Sequence, residues 1–298
     1  MQHEHEIDQA ALQDLDSSLR KIPGLDVRRS GRTWTLRPHG GKVKKTIVVA
    51  PERQWIVIKH ALRARRRLAF NRKNARAIAD KLHKMGAIFS GLLKGVIDRE
   101  GYPELRADIP FVDSAHVESR VYEVINDLLS YSKMGPRFHG AVDTPPRIFP
   151  GAHAMCDILD QCGWPYRKIN DSRFSFDLET DSHYQSSILE VSPNGCTTLE
   201  AILYKNKGER PPEQQLRALS SYLLYANTHT RLVRFNTSSK NPLAVAARVV
   251  FPGVPIPLEV AAGLRALSTA ASRSGQSIPL LMDDFVAREY LSAQYSAV

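Results

Sequence analysis

Apolar residues recur along this chain in an order that occurs twice. An apolar stripe with helical spacing covers residues 12–19, and the same spacing returns at residues 155–162. Each stripe is followed by runs in which apolar and polar residues alternate, as expected for strands whose side chains point to opposite faces in turn. The two series are offset by 140 to 143 residues. This pattern predicts two divergent copies of one module.

Each copy reads helix, three or four strands, helix, two strands, helix. The connections between strands are short, which favours antiparallel pairing, and the helices must cover one face of the sheet to bury their stripes. The predicted fold class is therefore α+β, with two tandem two-layer modules of the α-β-β-β-α-β-β-α type. The clearest paired segments are the helices Ala75–Met85 and Leu216–Ala226, the strands Leu105–Phe111 and Val245–Phe251, and the helices Val117–Leu128 and Val260–Ala271.

The predicted boundaries follow from the repeat. We expect a first module at residues 1–135, a linker at 136–150 and a second module at 151–298. The linker lies in a stretch that is rich in proline and glycine and has few periodic apolar residues. The second module ends in an extra helix, predicted over Ile278–Tyr290.

The order of elements resembles the CesT class of type III secretion chaperones and the related YbjN family. The resemblance is clearest where a helix ending in Tyr222–Asn227 leads to the strands Leu232–Phe235 and Val245–Phe251 and to a final helix from Leu258. It implies a non-enzymatic module that holds an extended client protein and works as a dimer, or as a pseudo-dimer of the two copies within one chain. Such chaperones are generally acidic, whereas this chain has a sequence pI of about 9.6.

The excess of positive charge lies entirely in the first half of the chain. Residues 1–150 hold 27 Lys and Arg against 17 Asp and Glu, whereas residues 151–298 hold 14 of each. A basic surface of this density attracts anionic partners. The alternatives are a solvated surface, an acidic client protein, a nucleic acid bound without sequence specificity, and an anionic membrane. The candidate binding residues are Arg28, Arg29, Arg32, Lys42, Lys44, Lys45, Arg63, Arg65, Arg66, Arg67, Arg72, Lys73 and Arg76.

Aromatic residues lie among these charges. Trp34, Trp55 and Phe70 could stack on bases, although the two tryptophans are better explained as core residues of strands.

The sequence contains no motif of a common catalytic or nucleotide-binding site. Asp177, Glu179 and Asp181 alternate on one face of a strand and could hold a divalent cation, but the same pattern is typical of a solvated strand that runs into a turn. We therefore expect no enzyme, cofactor or metal. The three cysteines form no disulfide pattern, and no apolar run is long enough to cross a membrane, so a cytoplasmic protein is expected.

Overall fold

The structure of the chain is a computed structural model. The predicted helix Ala75–Met85 and the predicted linker lie outside the residues that it describes. Those residues are 7–39, 46–61, 92–97, 102–131, 152–181, 184–192, 196–206, 208, 210–237, 243–251 and 253–296.

The first copy begins with a helix that buries its apolar stripe, and the carboxylate of Asp8 caps it by accepting a hydrogen bond from the Ala11 amide at 2.7 Å. A tight turn containing Gly31, whose φ is 60°, joins the first two strands. The described elements are α1 (Gln9–Arg20), β1 (Leu25–Ser30), β2 (Thr33–Pro38), β3 (Ile47–Glu52), β4 (Trp55–Ala61), β5 (Lys94–Ile97), β6 (Pro103–Pro110) and α2 (Ser114–Tyr131).

The second copy repeats the described elements of the first in the same order, has a helix between its fourth and fifth strands, where the first copy is not described, and ends in two further helices. Its α5 packs on the sheet and buries Leu264 and Leu267 against the strands. The elements are α3 (Ala152–Cys162), β7 (Arg167–Asn170), β8 (Arg173–Glu179), β9 (Tyr184–Val191), β10 (Thr197–Lys205), α4 (Glu213–His229), β11 (Arg234–Thr237), β12 (Ala244–Phe251), α5 (Pro257–Gly275), α6 (Ser277–Leu280) and α7 (Asp284–Ser296).

Both copies form a six-stranded antiparallel sheet with the same strand order. The first sheet runs β1-β2-β3-β4-β6-β5, and the second runs β7-β8-β9-β10-β12-β11. In each sheet the fourth strand pairs with the sixth, and the fifth strand lies at the edge. Identical topology in two halves of one chain confirms the predicted pair of α+β modules.

The strand registers reinforce this equivalence. Reading across each sheet gives a row of four buried apolar neighbours, and the corresponding positions differ by 140, 140, 141 and 142 residues. The alternation of apolar and polar residues alone aligns Trp34 and Leu36 with Phe176 and Leu178. In the observed rows Trp34 corresponds instead to Phe174. The rows are Trp34, Val49, Ile58 and Ala107 in the first sheet and Phe174, Leu189, Leu199 and Val249 in the second.

Contacts along the chain define two compact units that are not contiguous in sequence. The first unit comprises residues 1–63 and 104–146, and the second comprises residues 64–103 and 147–298. Strand β5 therefore belongs to the second unit by its contacts, although the sequence predicts a division into contiguous modules at 1–135 and 151–298. The two units are described separately below.

Strand β4 of the first unit is buried on both faces. Ile58 faces the helices, and Val57, on the opposite face, is also fully buried. Beside Val57 lies a buried ion pair, in which Nε of Arg106 is 2.8 Å from Oδ1 of Asp108. Nη2 of Arg106 also lies 3.6 Å from Oε2 of Glu52, which is partly exposed. Buried charges of this kind need such partners, because desolvation of a lone charge is costly.

The prediction of one continuous C-terminal helix over Ile278–Tyr290 is wrong, because the segment forms two helices, α6 and α7. The carboxylate of Asp283 accepts hydrogen bonds from the amides of Phe285 and Val286, at 2.9 and 3.0 Å. These bonds satisfy amides that begin a new helix, so Asp283 acts as a start signal inside the apolar pattern.

The indole of Trp34 makes the key polar contact in the core of the first unit. Trp34 is fully buried, and its Nε1 donates a hydrogen bond to Oδ1 of Asp16 in α1 at 2.6 Å. The other carboxylate oxygen of Asp16 accepts a bond from Nε of Arg20 at 2.9 Å. The bond from Arg20 lowers the pKa of Asp16, more than burial raises it.

We predict that Asp16→Ala destabilises the chain by about 1–3 kcal/mol, because it leaves the buried indole N–H without an acceptor. Asp16→Asn retains an acceptor and should cost less. Since the folded pKa of Asp16 is lowered, its charge contributes stability above the ordinary carboxyl pKa and loses it as the pH falls through the folded pKa. Urea denaturation followed by tryptophan fluorescence should therefore show the wild-type advantage over Asp16→Asn shrinking in acid. An advantage that is constant from pH 7 to about pH 2 would contradict the assignment.

Candidate functional site

The structure describes three of the thirteen predicted binding residues, and all three lie on the β1–β2 hairpin. They are Arg28, Arg29 and Arg32. The other ten fall outside the described residues. They are Lys42, Lys44, Lys45, Arg63, Arg65, Arg66, Arg67, Arg72, Lys73 and Arg76.

Each of the three arginines has a local partner. Arg28 forms an exposed ion pair with Asp26, with Nε 3.2 Å from Oδ2. Arg29 donates a hydrogen bond from Nε to the carbonyl oxygen of Gly31 at 2.9 Å. Arg32 donates a hydrogen bond to the carbonyl oxygen of Ile7 at 3.1 Å. These contacts engage each of the three guanidinium groups with a different partner.

The aromatic residues predicted as alternative stacking platforms do not all face solvent. Trp34 is fully buried, and the guanidinium of Arg29 lies 5.2 Å from the centre of its ring. This contact is a cation–π interaction that covers a core residue. Trp55 is partly exposed, and Phe70 lies outside the described residues. The expectation that Trp34 serves the core is confirmed.

Strand β1 is the terminal strand of the first sheet, and its pairing leaves a defined set of backbone groups on the open side. All six residues of β1 pair in register with β2. The amide of His39 donates to the carbonyl of Gly24 at 2.8 Å just before the strand. Hydrogen-bonded and non-hydrogen-bonded pairs alternate along an antiparallel ladder. The backbone groups of Leu25, Val27 and Arg29 therefore point away from β2.

The residue types of the hairpin agree with this register. Pro38, which has no amide hydrogen, stands opposite Leu25, at a position where β2 donates no bond to β1. The side chain of Leu25 is buried on the helix face and that of Val27 is half-buried. Asp26 and Arg28 point to the other face and are exposed. The open edge of β1 is thus regular, partly apolar and lined by charges of both signs.

The equivalent edge strand of the second sheet has a different form. Strand β7 contains four residues, all of them exposed, and its register with β8 shifts between Lys168 and Asn170. Short length, a bulge and basic side chains are the features that prevent an edge strand from pairing with another chain. Among the described terminal strands, β1 therefore has the edge better suited to accept a further strand.

Two other strand edges are closed by side chains of α4 in the second unit. Asn227, which is buried, donates from Nδ2 to the carbonyl of Gly95 in β5 at 3.2 Å and accepts at Oδ1 from the amide of Phe235 in β11 at 2.7 Å. Oγ1 of Thr228 accepts from the amide of Ile97 at 3.1 Å and lies 3.0 Å from the carbonyl oxygen of that residue.

The charge of Lys94 is accommodated at the same place. Lys94 is buried on β5, and its Nζ donates a hydrogen bond to the carbonyl oxygen of Thr230, just after α4. The C-terminal end of a helix favours a cation, because the last carbonyl groups carry partial negative charge. None of these contacts was predicted from the sequence. The adjacent polar residues Asn227 and Thr228, next to the apolar stripe of α4, are the signal that could have indicated buried hydrogen bonds.

Two arginines also lie beside each other in the second sheet. Arg234 and Arg248 are cross-strand neighbours, and Arg248 forms an ion pair with Glu200 on the next strand. Burial, together with the nearby charge of Arg248, lowers the pKa of Arg234 to about 10. This pair lies outside the predicted basic region. It could not be predicted from the sequence, because net charge along the chain does not reveal which strands are neighbours.

The acidic triplet of β8 has the character of a strand surface. Asp177 is exposed and its Oδ2 lies 3.6 Å from NH2 of Arg167, while Glu179 is also exposed. The part of the chain that the structure describes contains no group of three or more His, Cys, Asp or Glu side chains that could hold a metal ion. In the same residues, no helix is both long enough and apolar enough to span a membrane.

The large apolar side chains that are exposed in the described residues all belong to the second copy. Most are isolated from one another along the sequence, and singly exposed apolar residues are common on protein surfaces. They therefore do not by themselves define the apolar groove that a client-binding module requires. They are Ile169, Tyr184, Ile202, Tyr225, Val254, Leu258, Leu280 and Phe285.

The chain thus consists of tandem α+β modules, and within the described residues strand β1 has a regular open sheet edge. The chain matches no protein-family model and no curated protein.

We predict that Asn227→Leu destabilises the second unit by about 2–5 kcal/mol, because it leaves one buried carbonyl and one buried amide without partners. Asn227→Asp keeps the acceptor for Phe235 but places a carboxylate against the carbonyl of Gly95. Its carboxyl pKa should be raised, so the variant should regain stability as the pH falls and the protonated group donates to Gly95.

Urea denaturation followed by circular dichroism measures these effects. Gln214→Leu is the matched control, since it removes a side-chain amide from the same helix at a partly exposed position. Equal losses in Asn227→Leu and Gln214→Leu would show that Asn227 does not hold the two strands.

Proposed function

We propose that this chain is a non-enzymatic binding module that holds an extended segment of a client protein along strand β1. The observation that carries the proposal is the open edge of β1, where the backbone groups of Leu25, Val27 and Arg29 face away from β2 in a regular register. An extended peptide can add a strand to such an edge, with main-chain hydrogen bonds that supply affinity and alternate side chains that supply specificity.

The side chains around the edge favour a client segment of a particular composition. On the helix face the added strand would lie beside Leu25 and half-buried Val27, which favours apolar residues at every second position. On the other face it would lie beside the exposed Arg28. The excess of basic residues in the first half of the chain favours acidic residues between the apolar ones.

The resemblance to secretion chaperones and to the YbjN family agrees with this role, because those chaperones hold extended client segments. The proposal does not depend on any secretion system. It assigns no catalytic step, cofactor or metal to the chain.

A nucleic acid bound without sequence specificity remains the second candidate, and it is favoured by the charge of the first half. The described residues support it less than they support a client protein. The three described arginines are held by local contacts, and the indole of Trp34 is buried. Such binding would weaken by on the order of a thousandfold between 50 and 200 mM salt if about six phosphates were engaged.

We predict that Val27→Pro abolishes client binding and that Val27→Thr preserves it. Proline removes the Val27 amide hydrogen, which points away from β2, so the β1–β2 ladder stays intact. Threonine keeps that amide and the β-branched shape. The probe is a displayed library of random extended peptides, selected on the full-length wild-type chain. Peptides with alternating acidic and apolar residues should be enriched, and they should bind wild type and Val27→Thr but not Val27→Pro.

Amide exchange measured by NMR locates the bound segment. Binding should slow the exchange of the Leu25, Val27 and Arg29 amides, while the Asp26 and Arg28 amides, already bonded to β2, change little. Enriched peptides that bind Val27→Pro as well as wild type would refute strand addition. Duplex DNA run in parallel at 50 mM salt tests the second candidate, and tight binding of DNA with no peptide selected would favour it.

A further inference from the structure

The sequence of β1 is complementary to itself in an antiparallel arrangement, and this property points to a specific partner. Asp26 and Arg28 stand one residue on either side of Val27 and carry opposite charges. We propose that a second copy of this chain pairs with it edge to edge through β1, about a two-fold axis that passes between the two Val27 residues.

The backbone register permits this pairing. The residues whose backbone groups face the open side, Leu25, Val27 and Arg29, are spaced evenly about Val27. In the two-fold arrangement Val27 pairs with Val27 of the second copy, and Leu25 pairs with Arg29 of the second copy, twice. All three are pairs of the hydrogen-bonded kind, so the two edges would share about six main-chain hydrogen bonds. The symmetry makes the interface closed rather than open-ended.

The side chains on the exposed face complement one another in the same register. Asp26 stands opposite Arg28 of the second copy, and Arg28 stands opposite Asp26 of the second copy, so two attractive cross-strand pairs form. The side chains are 43% and 70% exposed and already lie 3.2 Å apart within one chain, so the four charges would form a small network. On the helix face the two half-buried Val27 side chains meet each other.

Strand β7 provides an internal comparison. Its residues Arg167, Lys168, Ile169 and Asn170 include two positive charges and no acidic residue, so no two-fold register gives an attractive charge pair. Its irregular pairing with β8 also disturbs the edge. The self-complementary edge is therefore a property of β1 and not of both terminal strands.

The proposed dimer does not rest on the proposed client binding. Both use the backbone groups of Val27, so a chain cannot do both through the same edge at once. If both occur, the dimer is the form in which the edge is closed until a client segment displaces the second copy.

The decisive experiment mixes two charge variants. Asp26→Arg makes both positions of the strand basic, and Arg28→Asp makes both acidic, so each variant alone sets like charges opposite each other in the two-fold register. An equimolar mixture of the two variants restores an attractive pair at each position, but only in the heterodimer. The double variant Asp26→Arg/Arg28→Asp restores the attraction within a homodimer.

Sedimentation velocity on the full-length chains gives the readout. Wild type and the double variant should dimerise, and each single variant should dimerise about tenfold more weakly, because two cross-strand pairs change from attractive to repulsive. The mixture of single variants should recover dimers that contain one chain of each kind. Val27→Pro should be monomeric, and Val27→Thr should behave like wild type. Circular dichroism spectra that match wild type show that each variant is folded.

A wild-type chain that is monomeric at about 100 µM, where weak interfaces still associate, would overturn the dimer. So would a dimer that persists in Val27→Pro, or single variants that do not associate with each other on mixing. The peptide library distinguishes the two proposals. If the chain is monomeric but still selects peptides, only the dimer proposal is overturned. If the chain is a dimer but selects no peptide, only the client-binding proposal is overturned.

Discussion

The backbone groups at the edges of the sheets impose the constraint that shapes this molecule, because every buried amide and carbonyl needs a partner. In the second unit Asn227 meets this need for two strands at once, by donating to Gly95 of β5 and accepting from Phe235 of β11. Thr228 does the same for Ile97. A single helix thus closes the edges of strands that are far apart in the sequence. Along the terminal strands β1 and β7, no helix side chain among the described residues bonds to the open backbone groups, and the two strands differ in length and regularity.

The types and order of the elements could be predicted from the sequence, because both follow from which residues are apolar. Helical stripes and strand alternation report burial directly, and they recur in both copies with the same spacing. The register could not be predicted with the same accuracy. A pattern of period two is unchanged by a shift of two residues, so Trp34 aligns with Phe176 by alternation, whereas the rows of neighbours across the sheets align it with Phe174.

The candidate site was predicted only in part, since a dense run of charge indicates a basic surface but not what each charge contacts. Arg28 could be placed on a strand from the sequence, yet its pairing with Asp26 and the position of β1 at the end of the sheet depend on strand order. Asn227 shows the converse case. It is one of several polar residues in α4, with no motif around it, and its role comes from two strands that only the tertiary structure brings to it.

The two copies differ in how regular their equivalent edge strands, β1 and β7, are. A regular open edge is a hazard, because it can pair with any extended chain, and proteins commonly shorten, bend or charge such strands. Strand β7 is short, bulged and basic, and these features disfavour pairing with another chain at the edge of the second sheet. Strand β1 keeps six residues in unbroken register and places Asp26 and Arg28 symmetrically about Val27. The regular edge of β1 has no counterpart in β7, and this difference between the copies agrees with the proposed addition of a strand at β1.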